Sequence, residues 1–80
     1  MKERLIEIMR LAYEINEAPD YWVVFVEMKG RYISASVTIL NCLNSHSEDY
    51  SFEAFGKDAN TATADFVLGR LESILKGRAA

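Results

Sequence analysis

The stretch YWVVFVEMKG, from Tyr21 to Gly30, decides the fold of this 80-residue chain. Successive side chains of a strand point to opposite faces of a sheet, so this stretch divides into two sets. One face carries Trp22, Val24, Val26 and Met28, and the other carries Tyr21, Val23 and Phe25 before polar character begins at Glu27. A strand in a small domain needs one buried face, so the second apolar face requires an explanation.

The segment RYISASVTIL, residues 31–40, predicts a second strand that a two-residue turn at Lys29-Gly30 joins to the first. In the register set by this turn, one face pairs Val26 with Ile33, Val24 with Ala35 and Trp22 with Val37. The reverse face pairs Phe25 with Ser34, Val23 with Ser36 and Tyr21 with Thr38. We expect the first face, together with Ile39, to be the core. The reverse face is then apolar on the first strand and polar on the second.

A third strand and two helices complete the predicted fold. YSFEAF, residues 50–55, predicts the strand, and helical spacing predicts a first helix from Lys2 to Glu17. A second helix would follow an N-cap at Asn60 or Thr61 and stop at Gly77. The expected buried stripes are Leu5, Ile8, Met9, Ala12 and Ile15, and then Ala64, Val67, Leu68, Leu71, Ile74 and Leu75. The chain should form a single α+β domain over residues 1–80, ordered α-β-β-β-α, with a three-stranded antiparallel sheet and both helices packed on one face.

This architecture leaves the reverse face of the sheet without a covering element, and we interpret it as a protein interface. Burying an aromatic or aliphatic side chain stabilises a complex by about 1.5–3 kcal/mol. The predicted interface comprises Tyr21, Val23 and Phe25 of the first strand, Tyr32 and Ser34 of the second, and Phe66 of the second helix. Its partner would be a second copy of the chain, giving a homodimer, or a host protein. The alternative is a partly exposed strip with no partner, because much of any protein surface is apolar.

The charge and cysteine content favour some function classes over others. Nine Lys and Arg against twelve Asp and Glu give a net charge of −3, the wrong sign for a protein that binds mainly a phosphate backbone. A single cysteine excludes an internal disulfide and favours a reducing cytosol. Charges recur throughout the N-terminal segment, which therefore predicts neither a signal peptide nor a membrane span. We expect a cytoplasmic, non-enzymatic protein.

Residues 41–49, NCLNSHSED, predict an irregular connection that carries the single thiol, Cys42, and the single imidazole, His46. A structural zinc site needs four Cys or His ligands, and a thiol protease needs a third group that orients its histidine within a cleft. We therefore expect no catalytic residue, no metal and no cofactor. Cys42 would be a buried small thiol, and His46 a solvated loop residue.

The order of elements, from YWVVFVEMKG and RYISASVTI through YSFEAFGKDAN to TATADFVLGRLESILKG, resembles the topology of double-stranded RNA-binding domains. That resemblance implies RNA contacts from the first helix, from the loop between the first two strands and from a lysine cluster that opens the last helix. Here the cluster reads Lys57, Asp58, Asn60, Thr61, Thr63 and Asp65, with one lysine against two aspartates. The topology permits an alternative function, which is nucleic-acid binding through Lys29, Arg31 and Lys57, although the acidic residues of this cluster oppose it.

The chain is also similar to small proteins of bacteriophages and prophages, which are short, acidic and mostly α+β. Many of them open with an amphipathic helix before a strand like DYWVVFV, as residues 20–26 do here. This similarity implies an accessory role exerted through contact with a host protein.

Overall fold

Two helices flank three consecutive strands in the computed structural model, which describes residues 1–18, 20–29, 34–57 and 59–79. The elements are α1 (Lys2–Glu17), β1 (Trp22–Lys29), β2 (Ser34–Asn41), β3 (His46–Glu53) and α2 (Thr61–Ala79). The strands form one antiparallel sheet in the order β1-β2-β3. Apolar residues of both helices share one core with one face of the sheet. The predicted α+β fold and its α-β-β-β-α order are confirmed.

The first helix has the predicted bounds, but its buried stripe is rotated towards α2. Met9, expected within the stripe, is half exposed, and Leu11, which was not assigned to the stripe, is buried. The reason is that α2 packs alongside α1, so the buried arc of α1 extends past the sheet towards the second helix. Arg4 and Asp65 join the two helices at the surface, with Nε and Oδ1 separated by 2.7 Å.

The second helix begins as predicted and ends later. The Asn60 side chain accepts a hydrogen bond from the backbone N–H of Thr63 at 3.0 Å, which is the geometry of an N-cap. The helix continues through Gly77 to Ala79, so the predicted stop at Gly77 is wrong. A glycine ends a helix when it adopts a positive φ, and in the described part of the chain Gly56 is the glycine that does so.

The pairing of β1 with β2 differs from the predicted register by four residues. Val24 lies opposite Ile39 and Lys29 lies opposite Ser34, so the two-residue turn at Lys29-Gly30 is wrong. Residues 30–33, including the predicted core residue Ile33, lie outside the described residues. In the predicted register Ile39 would have paired with residue 20, before the strand begins, whereas the observed register pairs all eight residues of each strand. The shift is even, so every side chain keeps its predicted face.

The third strand starts four residues earlier than predicted. Residues 46–49 belong to β3, and the connection is a tight turn over residues 42–45. Side chains fold this turn, because Asn41 Oδ1 accepts the Leu43 N–H and Asn44 Oδ1 accepts the His46 N–H, each at 3.0 Å. Ser45 has a φ of 58° within it. Residues 46–49 were not predicted as part of the strand because they are mostly polar residues of an edge strand and resemble a loop.

The helix-covered face of the sheet, called the inner face, forms the floor of the core. Val24, Val37 and Ile39 are buried as predicted. Trp22 and Val26 are partly buried against the same core. The inner face therefore has the predicted residues, with burial greatest on the central strand.

The free edge of β1 is partly closed by α1. Asn16 Nδ2 donates to the Val24 carbonyl at 2.7 Å, and Asn16 Oδ1 accepts the Val24 N–H at 2.8 Å. These are the two backbone groups that a fourth strand would use at this point. One side chain thus fixes α1 to β1 and blocks strand addition at Val24.

Neither helix is long and apolar enough to cross a membrane, as judged on the described residues.

Candidate protein-interaction surface

The face of the sheet opposite the helices, called the outer face, carries an apolar strip with polar residues around it. The strand register places a defined set of side chains here: Val23, Phe25, Glu27 and Lys29 of β1, Ser34, Ser36, Thr38 and Leu40 of β2, and Ser47, Asp49, Ser51 and Glu53 of β3. None of the described helices or strands covers them, because both helices pack on the inner face.

The apolar strip runs along β1 and the end of β2. Phe25 has 54% of its surface exposed although it lies in the middle of a paired strand. Val23 lies directly opposite Leu40, and both are half-buried. Tyr21 extends the strip past the end of the strand, since its carbonyl accepts the Cys42 N–H at 2.8 Å and continues the β1–β2 pairing. Four apolar side chains therefore form one continuous strip.

A shallow groove beside this strip has a volume of about 340 Å³. The residues that line it are Phe25, Val26, Glu27, Ser36, Thr38 and Leu40. Its walls thus combine an aromatic ring and aliphatic groups with small hydroxyls, a composition typical of the centre and border of protein interfaces.

Carboxylates surround the strip more densely than cations do. Asp49 lies in the same cross-strand row as Phe25 and Thr38, and its Oδ1 accepts a hydrogen bond from the Thr38 hydroxyl at 2.8 Å. Glu53 is exposed further along β3, and Glu27 is paired with Lys29 at 3.7 Å. The surroundings of the strip are therefore acidic.

The predicted interface residues separate into three groups. Tyr21, Val23 and Phe25 lie on the outer face, and so does Ser34, although it pairs with Lys29 where Phe25 was expected. Tyr32 lies outside the described residues. Phe66 does not join this surface, because it lies on α2, where its ring is 5.5 Å from that of Tyr50 on the inner face.

Leu40 and the outer carboxylates of β3 were missed as interface residues. Alternation along β2 places Leu40 on the same side as Ser36 and Thr38, so the sequence contained the signal for it. Asp49 was assigned to the irregular connection, which concealed its position on the sheet. Glu53 lay within the predicted third strand but was given no role.

The candidate nucleic-acid residues are dispersed. Lys29 ends β1, where it pairs with Glu27, and Lys57 follows β3 at the opposite edge of the sheet. Arg31 lies outside the described residues. The structure thus gives no cluster formed by the two described lysines.

A polar cluster, separate from the outer face, joins α2 to β3 on the inner face. Arg70 Nε and Nη2 donate to the two carboxylate oxygens of Glu48 at 2.8 and 2.6 Å. The Tyr50 hydroxyl donates to Glu48 at 2.5 Å, and His46 Nε2 lies 3.0 Å from the same carboxylate. The Arg70 guanidinium, with smaller contributions from the hydrogen bonds of Tyr50 and His46, lowers the pKa of Glu48 to about 2 against the opposing effect of burial. The partners satisfy one another, as in a structural ion pair.

This cluster corrects the expectations for the connection. His46 belongs to a strand and not to a loop, and it contacts Glu48 while its side chain stays exposed to solvent as expected. Cys42 is exposed in the turn and is not buried. Within the described residues, no three His, Cys, Asp or Glu side chains are grouped so that they could hold a metal ion. A shallow cavity of about 310 Å³ adjoins the cluster between Trp22 and Arg70.

Comparisons of this chain with protein-family models, curated proteins and solved structures found no match.

Proposed function

We propose that this protein is a non-enzymatic interaction module that binds a protein partner through the outer sheet face. The observation that carries the proposal is the exposure of Phe25 in the middle of β1, next to Val24, which is 3% exposed. Aromatic side chains dominate the energetics of protein interfaces, because each buries about 150–250 Å². Left in water, Phe25 contributes little to folding, so its stabilising potential is available for binding.

The surroundings of Phe25 support this role. Val23 and Leu40 adjoin it on a sheet that hydrogen bonds and the core hold in shape, so a partner would meet a preformed surface. Binding to a preformed surface avoids the entropy cost of ordering a loop. The hydroxyls of Ser36 and Thr38 supply hydrogen-bonding groups at the border, as in other interfaces.

A second exposed apolar stripe lies on α1, at Ile6, Met9 and Tyr13. Its members lie three and four residues apart on one side of the helix, and ion pairs of Arg10 with Glu7 and Glu14 lie on the same helix. The outer sheet face is the stronger candidate because Val23 and Leu40 are direct cross-strand neighbours, Phe25 lies two residues along the same strand, and a groove adjoins them. The stripe on α1 provides a control surface for the experiment below.

Two further features belong to the same proposal. The partner would be a second copy of this chain or another protein, and the resemblance to bacteriophage and prophage proteins would make that other protein a host protein. A cytoplasmic location is the one that a single cysteine favours.

Selection from a yeast-displayed library of random peptides tests the proposal, because such a library samples partner segments of every composition. Peptides that bind the immobilised chain are measured against three folded variants: Phe25→Asp, Ser51→Asp and Tyr13→Asp. Ser51→Asp places the same charge on the outer face, two strands away from Phe25. We expect Phe25→Asp to weaken binding at least about tenfold, as loss of a central interface residue does, while Tyr13→Asp changes it by less than about threefold and Ser51→Asp does not weaken it.

Peptides that bind Phe25→Asp as tightly as the wild type would contradict the proposal. If the same peptides were lost on Tyr13→Asp, the interface would lie on α1 instead. Circular dichroism of each variant establishes that an observed loss of binding does not result from unfolding.

A further inference from the structure

We infer that the outer sheet face binds a basic segment of another protein, in which apolar side chains alternate or cluster with Lys or Arg, and not a second copy of this chain. The inference rests on the proposed function and adds the chemistry of the partner. Its warrant is the charge that surrounds the apolar strip and the size of the face.

The outer face carries more carboxylates than ammonium groups. Among its described residues, the carboxylates of Glu27, Asp49 and Glu53 stand against the single ammonium of Lys29, which leaves a net charge of −2. Lys29 is engaged with Glu27 at 3.7 Å. Asp49 and Glu53 form no ion pair with any described residue, so their charge is available to a partner.

The position of Asp49 suits a partner that contacts Phe25. Phe25, Thr38 and Asp49 occupy one row across the three strands. Neighbouring strands are about 4.8 Å apart, so this carboxylate lies roughly 10 Å from the Phe25 backbone. A Lys or Arg side chain has that reach, and its aliphatic stem can cover apolar surface while its charged end meets the carboxylate. One segment can therefore contact the Phe25 ring and pair with the Asp49 carboxylate at the same time.

A second copy fits this face poorly. A two-fold interface places the same surface on both subunits, so two faces that each carry a net charge of −2 would meet. Like charges across an interface oppose association. Three strands of eight residues also give the face an extent of only roughly 26 by 14 Å, which a single short segment can cover. Both observations favour a short segment.

The peptide selection described above tests this inference through the composition of the binders. Among peptides that depend on Phe25, we expect enrichment in Lys or Arg together with Leu or aromatic residues. One such peptide is then measured against Asp49→Asn combined with Glu53→Gln. The matched control is Glu72→Gln, which removes a carboxylate from the exposed surface of α2.

We expect the double variant to weaken the peptide by about two- to tenfold, and Glu72→Gln to leave its affinity nearly unchanged. The effect should fade in 1 M salt, where the Debye length is about 3 Å. Asn at position 49 can still accept the Thr38 hydrogen bond, so the variant isolates the charge.

Each outcome separates the inference from the proposed function. Phe25-dependent peptides without an excess of basic residues, or without sensitivity to the double variant, would overturn the inference and leave the proposed function standing. A selection that yields no Phe25-dependent peptides would overturn the proposed function. Sedimentation equilibrium that shows a dimer, abolished by Phe25→Asp, would identify a second copy as the occupant and overturn the inference alone.

Discussion

Val24 and Phe25 are neighbours on one strand, yet 3% of the first and 54% of the second is exposed. Both are apolar, so composition does not distinguish them. The difference arises because both helices lie on the inner face, where Val24 joins the core, while the described elements leave Phe25 uncovered. The comparison separates two uses of apolar surface: the inner face stabilises the fold, and the outer face is available for binding.

The largest expected loss of stability comes from shortening a core side chain on the inner face. Ile39 is fully buried on the central strand. Ile39→Ala should lower the free energy of unfolding by about 2–5 kcal/mol through lost burial and a cavity, and Ile39→Val by about 0.5–1.5 kcal/mol. Urea unfolding followed by circular dichroism measures both. A loss below about 0.5 kcal/mol for Ile39→Ala, the level of a surface change, would mean that the two faces are wrongly distinguished.

The polar corner of the inner face should make stability dependent on pH. The pKa of Glu48 is lowered from 4.5 to about 2, so its carboxylate stabilises the fold above pH 4.5, and this contribution is lost as the pH falls towards 2. At pH 7, Glu48→Gln should destabilise the protein by about 1–3 kcal/mol, as loss of hydrogen bonds to a charged group does. The difference between variant and wild type should shrink on acidification. If the stability difference between Glu48→Gln and the wild type stays constant from pH 7 to pH 2, the charge of the Glu48 carboxylate does not stabilise the fold.

A smaller effect should come from the link between α1 and the edge of β1. Asn16→Ala removes two hydrogen bonds to the Val24 backbone and should cost about 1–2 kcal/mol. Asn16→Asp keeps an acceptor for the Val24 N–H but sets a carboxylate oxygen against the Val24 carbonyl, so its cost should be at least as large. Hydrogen exchange of the Val24 amide should be faster in the Ala variant than in the Asp variant. Equal exchange in all three proteins would show that Asn16 does not protect this edge.

The sequence predicted the faces of the sheet better than it predicted the register. Alternation along YWVVFVEMKG correctly assigned Val24 to the core and Phe25 to the opposite side. The same alternation tolerates any even shift, so hydrophobic pattern alone could not choose Ile39 over Ala35 as the partner of Val24. That choice depends on pairing the whole length of each strand, which is a property of the assembled sheet.

Polar segments were the other source of error. The first half of β3 looks like a loop because its outer residues and its free edge face solvent. Its placement on the sheet determines that Glu48 meets Arg70, 22 residues away, and that Asp49 lies in the row of Phe25. Residues so distant in sequence are brought together by tertiary structure, so no local pattern could have predicted these pairs.

Phe25→Asp is the variant with the smallest expected effect on stability, and it also tests the central claim. Its free energy of unfolding, measured with and without a selected peptide, tests most directly whether the outer face serves binding and not folding. Without peptide, the variant should lie within about 1 kcal/mol of the wild type. With peptide at about 100 times its wild-type Kd, the wild type should gain about 2.7 kcal/mol by linkage, and a variant that binds at least tenfold more weakly should gain no more than about 1.4 kcal/mol. A loss of stability as large as that of Ile39→Ala, or an equal gain with peptide in both proteins, would contradict the account.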